Sequence, residues 1–225
     1  MAERSGLIIL LGEWALREAC RSCVLWNRAG GATGVCVNVS ALQFDLEDFP
    51  LKVLHILNEA GLSPSLLTLE LTETVLVRDV GRARRHLTHL RREGISVALD
   101  DFGTGYSSLS YLTVLPADAI KLDRSFLNRE SASATAVIES VVAMAHRLGL
   151  RVVAEGVETR PQARRLQQLN CDELQGHYFG EPMPAEQIPQ WLTAEVPRIK
   201  RMFCDADTRA TDCRGAAVEE LCPEY

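Results

Sequence analysis

Two spacings of apolar residues alternate along this chain. Short apolar runs, with polar residues at every second place near their ends, occur at 34–39, 67–73, 96–101, 119–123, 151–156 and 173–179, and predict six strands. The stretches between them follow helical spacing. Residues 76–93 carry Val80, Ala83, Leu87 and Leu90 on one stripe, with Arg82, Arg84, Arg85, Arg91 and Arg92 mostly elsewhere. Residues 134–148 carry Val137, Val141, Ala145 and Leu148 on theirs, and Gly149 is a natural stop. Thr159 and Pro161 mark a further helix start, with Ala163, Leu166 and Leu169 facing inward. Residues 11–27 read as a helix ahead of the first strand.

Repeated strand–helix units predict an α/β fold, a parallel sheet covered by helices. No G-x-G-x-x-G follows the first strand, which argues against a dinucleotide-binding half. Strand parity favours a TIM-like (β/α) barrel. Successive strand residues face opposite sides. Cys36 and Asn38 therefore oppose Val35, Val37 and Val39, and Thr68 and Glu70 oppose Leu67, Leu69 and Leu71. Ala98 and Asp100 oppose Val97 and Leu99, and Ala119, Lys121 and Asp123 oppose Ile120 and Leu122. Val153 and Glu155 oppose Val152 and Ala154, and Glu173 and Gln175 oppose Leu174. Each strand offers an apolar face to a helix layer and ends its other face on a polar group. Barrel enzymes assemble their sites at that C-terminal end. A closed barrel has eight strands. Six are legible here, so the barrel is incomplete, the two others are expected ahead of residue 1, and 34–39 and 173–179 become sheet edges.

Composition narrows the picture. With 225 residues, 47% hydrophobic and 24% charged, the chain suits one sizeable soluble domain. A net charge of −6 disfavours a general nucleic-acid surface, although a metal can reverse the local sign for a small phosphorylated ligand. No run approaches the roughly 20 apolar residues of a membrane span. Leu7-Ile8-Ile9-Leu10-Leu11 is too short for one and has no cleavage pattern after it. The seven cysteines form no disulfide framework, and the Cys20-x-x-Cys23 pair lacks the second pair that a zinc site needs. Cys36 and Cys171 read as small buried residues in a reducing compartment, so the expected location is cytoplasmic. Cys204, Cys213 and Cys222 lie in a tail, 196–225, that reads as a variable polar extension of a 1–195 domain.

The chemistry concentrates where the run Val97-Ala98-Leu99 ends in Asp100-Asp101 and a loop containing Gly103 and Gly105. Two adjacent acids beside a core call for a neutralising cation. Glu70, Asp100, Asp101 and Glu155 supply four anionic ligands, and Asn38 a neutral oxygen. An all-oxygen set suits Mg²⁺ or Mn²⁺, and two such ions about 4 Å apart clamp a phosphodiester. Lys121 is the one cation at these positions. It either positions or deprotonates the attacking water, stabilises phosphoryl charge, or forms a structural salt bridge that balances the acids.

The segments Asn38-Val39-Ser40, Glu70-Leu71-Thr72-Glu73, Asp100-Asp101-Phe102-Gly103-Thr104-Gly105, Lys121-Leu122-Asp123-Arg124-Ser125-Phe126, Glu155-Gly156-Val157-Glu158 and Gln175-Gly176 resemble the successive motifs of the bacterial EAL domain. The resemblance covers roughly residues 4–195. It implies a modified TIM barrel, and a cyclic-di-GMP phosphodiesterase that hydrolyses its substrate to linear pGpG, or else a catalytically inactive module that binds cyclic-di-GMP or a partner protein. It puts Asn38, Glu70, Asp100, Asp101 and Glu155 on metal positions and Lys121 on the lysine that assists the water. It puts Gln175 on a glutamine near that water, Glu73 on the glutamate that steadies the loop after the Asp pair, and Asp123 and Gln175 on substrate-facing positions. It further implies a Mg²⁺ or Mn²⁺ pair, dimerisation near that loop and the following helix, and a sensory or GGDEF-type domain upstream. The family's Glu-Ala-Leu motif, whose Glu is a further metal ligand, is absent from the sequence; the early acids Glu3, Glu13 and Glu18 fall in or beside a helix.

Overall fold

A computed structural model describes residues 6–28, 33–103, 112, 114–127 and 132–199. The first helix, α1 (Leu7–Arg28), buries Leu16, Cys20, Cys23 and Trp26. It starts earlier than the spacing predicts, because the Leu7–Leu11 cluster forms its first turns. The strands are β1 (Val35–Asn38), β2 (Leu67–Thr72), β3 (Ser96–Phe102), β4 (Ala119–Leu122), β5 (Arg151–Ala154) and β6 (Glu173–Leu174). All pair in parallel, in chain order β1 to β6. They form a curled half-barrel with helices outside.

Three further elements depart from the pattern read off the sequence. The predicted strand 173–179 is only two residues long. A side chain on Gly176 would strike the backbone of Val157, so the chain turns away there to let the loop after β5 pass. The stretch 76–93 is two helices, α4 (Glu73–Val77) and α5 (Val80–Arg92), with α2 (Ala41–Phe44) and α3 (Phe49–Ala60) earlier. Asp79 makes the break by accepting the Arg82 N–H at 2.9 Å as an N-cap. In α6 (Ala132–Arg147) the core face is Ile138, Val142 and Ala145; of the predicted stripe Ala145 lies on it and Val141 packs beside it, but Val137 and Leu148 are exposed, so the stripe is rotated toward Ile138. Both stripes satisfy helical spacing, and only packing selects one.

The outward faces of the strands carry the main core: Val35, Val37, Leu67, Leu69, Leu71, Val97, Leu99, Ile120, Leu122, Val152 and Ala154. Their inward faces supply a separate small cluster of Ala98, Ala119 and Val153. Small residues there let the sheet curl. The helix α7 (Arg160–Gln168) opens with a capping box in which Thr159 and Gln162 bond reciprocally, and α8 (Ile188–Ala194) follows β6. Residues 196–199 are again helical, with Ile199 buried. Thr104, Gly105 and residues 200–225, including Cys204, Cys213 and Cys222, lie outside the described residues. Cys20, Cys23, Cys36 and Cys171 are in no disulfide; burial pushes Cys20 up to about 12 and Cys23 up to about 11, as inert core cysteines require. Among the described residues no helix is long and apolar enough to cross a membrane.

Candidate active site

Strand parity delivers four charged groups to one point at the C-terminal end of the sheet. Glu70 on β2 is register partner to Asn38 on β1 and Ala98 on β3. Lys121 on β4 lies above the small inner cluster, so its stem reaches across β3 without obstruction. Its Nζ stands 2.6 Å from Glu70 Oε2, 2.6 Å from Glu155 Oε1 and 3.6 Å from Asp100 Oδ1. Side chains two strands apart meet in this way only on a concave face, since adjacent strands are about 4.8 Å apart. Glu70 is 2% exposed and Lys121 3%.

One ammonium serves three carboxylates, and the balance shows in their proton affinities. Burial raises the Glu70 carboxyl, Lys121 offsets part of the rise, and Asp100 and Glu155 add to it; the result is about 7. Glu155 is raised by burial as well, against the opposing pull of Lys121. Burial pulls Lys121 down, but Glu70, Glu155 and Asp100 outweigh it and hold the ammonium well above the ordinary lysine range. These directions agree: the cluster carries surplus negative charge and holds positive charge tightly.

Asp101 follows with φ 55°, in the left-handed region, and its N–H donates to Asp100 Oδ1 at 3.0 Å. Burial first, then Asp100 and Asp123, raises its carboxyl. The β3–β4 ladder breaks register between Leu99 and Phe102, so both aspartates sit on an irregularity that turns them toward the mouth. Asp123 caps a 3₁₀ turn, Arg124–Phe126, accepting the Ser125 N–H at 2.9 Å; hydrogen bonding from the Ser125 side chain first, and from the backbone N–H groups of Ser125 and Arg124 after it, lowers its carboxyl against the opposing effect of burial. Asn38 ends β1 and is exposed, Glu73 opens α4, and Gln175 follows β6, its N–H donating to Ala154 O at 2.9 Å. Glu70, Asp100, Lys121 and Glu155 thus form one ion-paired group, Asp101 is tied to Asp100, and the other predicted residues stand at the same end of the sheet.

The donor chemistry fits a hard divalent cation: every available ligand is oxygen, and negative charge is in excess. The carboxylates are gathered on Lys121, and among the described residues no three His, Cys, Asp or Glu side chains are grouped to hold a metal ion. A cavity of about 360 Å³ at the opposite end of the sheet, lined by Thr88, Arg91, Ser96 and Asp118 among others, is unrelated to this cluster. Its Arg91 is paired with Asp118 at 2.6 Å. The sequence reading missed the packing of the 3₁₀ turn against the loops beside it; the Asp-x-Ser cap was its only local signal.

Comparison with known proteins gives concordant results. The family model described as EAL domain matches residues 1–182. The bifunctional diguanylate cyclase/cyclic di-GMP phosphodiesterase MucR of Pseudomonas aeruginosa is 44% identical over 191 residues, covering 84% of this chain and 28% of the relative. The PaMucR phosphodiesterase in complex with c-di-GMP superposes with a TM-score of 0.79 at 45% identity, covering 83% of this chain and 77% of that one. BlrP1 of Klebsiella pneumoniae, in a manganese/cy-diGMP complex, gives a TM-score of 0.70 at 31% identity over 77% of this chain and 44% of that one. The chain spans about a quarter of the length of the first curated relatives it matches, 28% and 24%.

Proposed function

The chain belongs to the EAL domain family, and from that premise we propose that it is a divalent-metal-dependent phosphodiesterase that opens one phosphodiester of cyclic-di-GMP to give linear pGpG. The observation that carries this reading is the convergence of Glu70, Asp100 and Glu155 on Lys121 beside Asp101. PaMucR in complex with c-di-GMP supports the nucleotide, and BlrP1 with manganese supports the ion class.

In this proposal Glu70, Asp100, Asp101, Glu155 and Asn38 hold Mg²⁺ or Mn²⁺. When bound, such an ion offsets phosphate charge and acidifies water. Lys121 keeps its proton, orients the attacking water and faces the phosphoryl oxygens. Gln175 hydrogen-bonds that water, Asp123 and Gln175 face the nucleotide, and Glu73 orders the loop after Asp101. The oxygen of water adds to phosphorus as one ester P–O bond breaks; the water gives up one proton, and the leaving ester oxygen gains one to become a hydroxyl. A homodimer formed near that loop, an upstream sensory or GGDEF-type domain and a cytoplasmic location complete the proposal. The double activity in the name of MucR and the cysteines outside any disulfide support the last two.

A second reading has its own observation. The Lys121 ammonium already holds the centre of the carboxylates. A chain arranged so could bind cyclic-di-GMP without cleaving it. Chromatography of the nucleotide incubated with protein and Mn²⁺ separates the two. The enzyme reading expects pGpG, with at least a roughly 100-fold loss in Asp100→Asn. Calorimetric binding in Ca²⁺ with no pGpG in Mn²⁺ establishes the receptor, and neither binding nor cleavage removes both.

A further inference from the structure

The aspartate pair lies where β3 loses its register with β4. Pairing of β3 with β4 runs through Ala98–Ala119 and Leu99–Ile120, shifts, and resumes only at Phe102–Leu122. Asp100 keeps its register with Thr72 on β2, but on the side of β4 both aspartates fall inside the shift, so no β3–β4 ladder bond sets their distance from Lys121. On that side a contact outside the ladder is needed to fix the spacing.

The 3₁₀ turn after β4 is built for that task. Gly103, two residues after Asp101, has φ 93° and faces the Phe126 ring: a β-carbon there would lie 2.5 Å from Cζ and 2.8 Å from Cε2. Only a bare α-carbon lets the ring seat so closely. On its other side the turn is held by Gly156, one residue after Glu155, where a β-carbon would meet Cβ of Arg124. The turn that follows Lys121 is therefore gripped between the segment that carries Asp100–Asp101 and the segment that carries Glu155.

We propose that Phe126 is a positioning residue: its ring, seated on Gly103, sets the separation between the aspartate end of β3 and the lysine end of β4. The proposal deepens the functional reading above, since it concerns how the same carboxylates are held. The Phe126 ring carries no charged or ligating atom. It acts through the backbone of residues 101–103. An ordinary core phenylalanine would need only apolar volume, whereas this role needs reach.

Two substitutions separate reach from volume in the full 225-residue chain. Phe126→Leu keeps an apolar side chain but withdraws from Gly103. Phe126→Met is unbranched and long enough to keep the contact. The expected result is a Mn²⁺ affinity, by calorimetry, about 10-fold weaker in Phe126→Leu and within about 3-fold of the parent in Phe126→Met, the scale of loss seen when groups that orient metal ligands are removed. Crystal structures without metal should show the Lys121–Asp100 contact, 3.6 Å in the parent, opened beyond 4 Å in the Leu variant, with Lys121–Glu70 unchanged at 2.6 Å. Equal Mn²⁺ affinity in the two variants, or an unmoved Asp100 in Phe126→Leu, overturns the proposal. If the parent itself takes up no Mn²⁺, the functional reading fails instead, and the metal-free structures still decide the role of Phe126.

Discussion

Lys121 brings one positive charge into a space shared by Glu70, Asp100 and Glu155. Lys121→Met would leave Glu70 buried beside two other acids without a counter-ion. Breaking such a pair costs about 3–5 kcal/mol, and that loss is expected at pH 8 in urea unfolding. The pH dependence has a definite sign. Glu70 is raised from 4.5 to about 7, so the folded state binds its proton more tightly than the unfolded state does. Stability of the metal-free protein therefore falls as pH rises from about 4.5 to about 7. At pH 5 the carboxyl is protonated in the folded variant, so the Lys121→Met penalty should be smaller there than at pH 8. A penalty independent of pH would refute this account. His86 has the opposite sign. It is buried, its ring 5.3 Å from Phe44 and 6.5 Å from Phe49, and its Nδ1 has no hydrogen-bond partner among the described residues. Burial is the main cause of its lowered pKa; Glu47 opposes it, and Arg82 and Arg85 add to it. The unfolded state binds the proton first, so this contribution is complete above about 6.5 and is lost as pH falls. His86→Phe should flatten the acid limb of the urea midpoint against pH, and an unchanged slope would show that His86 does not titrate there.

At the scale of elements, much of the strand chemistry was legible because parity is local. Alternation alone put Glu70, Asp100 and Lys121 on one face, and their ion pairing follows from it. The phase of α6 was not legible, because Val137 and Ile138 are equally apolar and only the facing sheet distinguishes them. Nor was the way two strands begin. Asp118, just before β4, accepts the Val97 N–H at 2.9 Å through Oδ2 and donates its own N–H to Val97 O at 2.8 Å. Asp172, just before β6, treats Val152 alike, at 2.7 Å and 3.0 Å. Each aspartate clips one strand start to its neighbour, and a lone Asp in a loop carries no mark of it in sequence. Asp118→Ala strands the N–H of fully buried Val97 and frees Arg91, so a loss of about 2–3 kcal/mol is expected in urea unfolding. Asp118→Asn, which retains an acceptor, should lose less. Equal losses would mean that charge, rather than the strand clip, is what matters.

For the whole molecule, the sheet is a mould that brings acids far apart in sequence to one mouth. Glu70 and Glu155 meet only when β2 through β5 are in register and curled, because the inner residues Ala98, Ala119 and Val153 are small enough to permit it. An unfolded chain has no such grouping, so an ion that prefers the cluster binds the folded state alone and must stabilise it by mass action. With free Mn²⁺ at a hundred times its Kd the gain is about 2.7 kcal/mol. For a chain of this size that amounts to a rise of about 5–10 °C in Tm over the value in EDTA. The rise should follow the logarithm of ion concentration and grow from pH 6 to pH 8, because Glu70 must give up a proton held up to about 7 before it can serve as a ligand. Glu155→Gln removes one anion from the cluster and should shrink the shift. Scanning calorimetry of both proteins across that pH range is decisive. A Tm indifferent to Mn²⁺ at pH 8 would mean that the Lys121 ammonium is the only cation this mouth accepts.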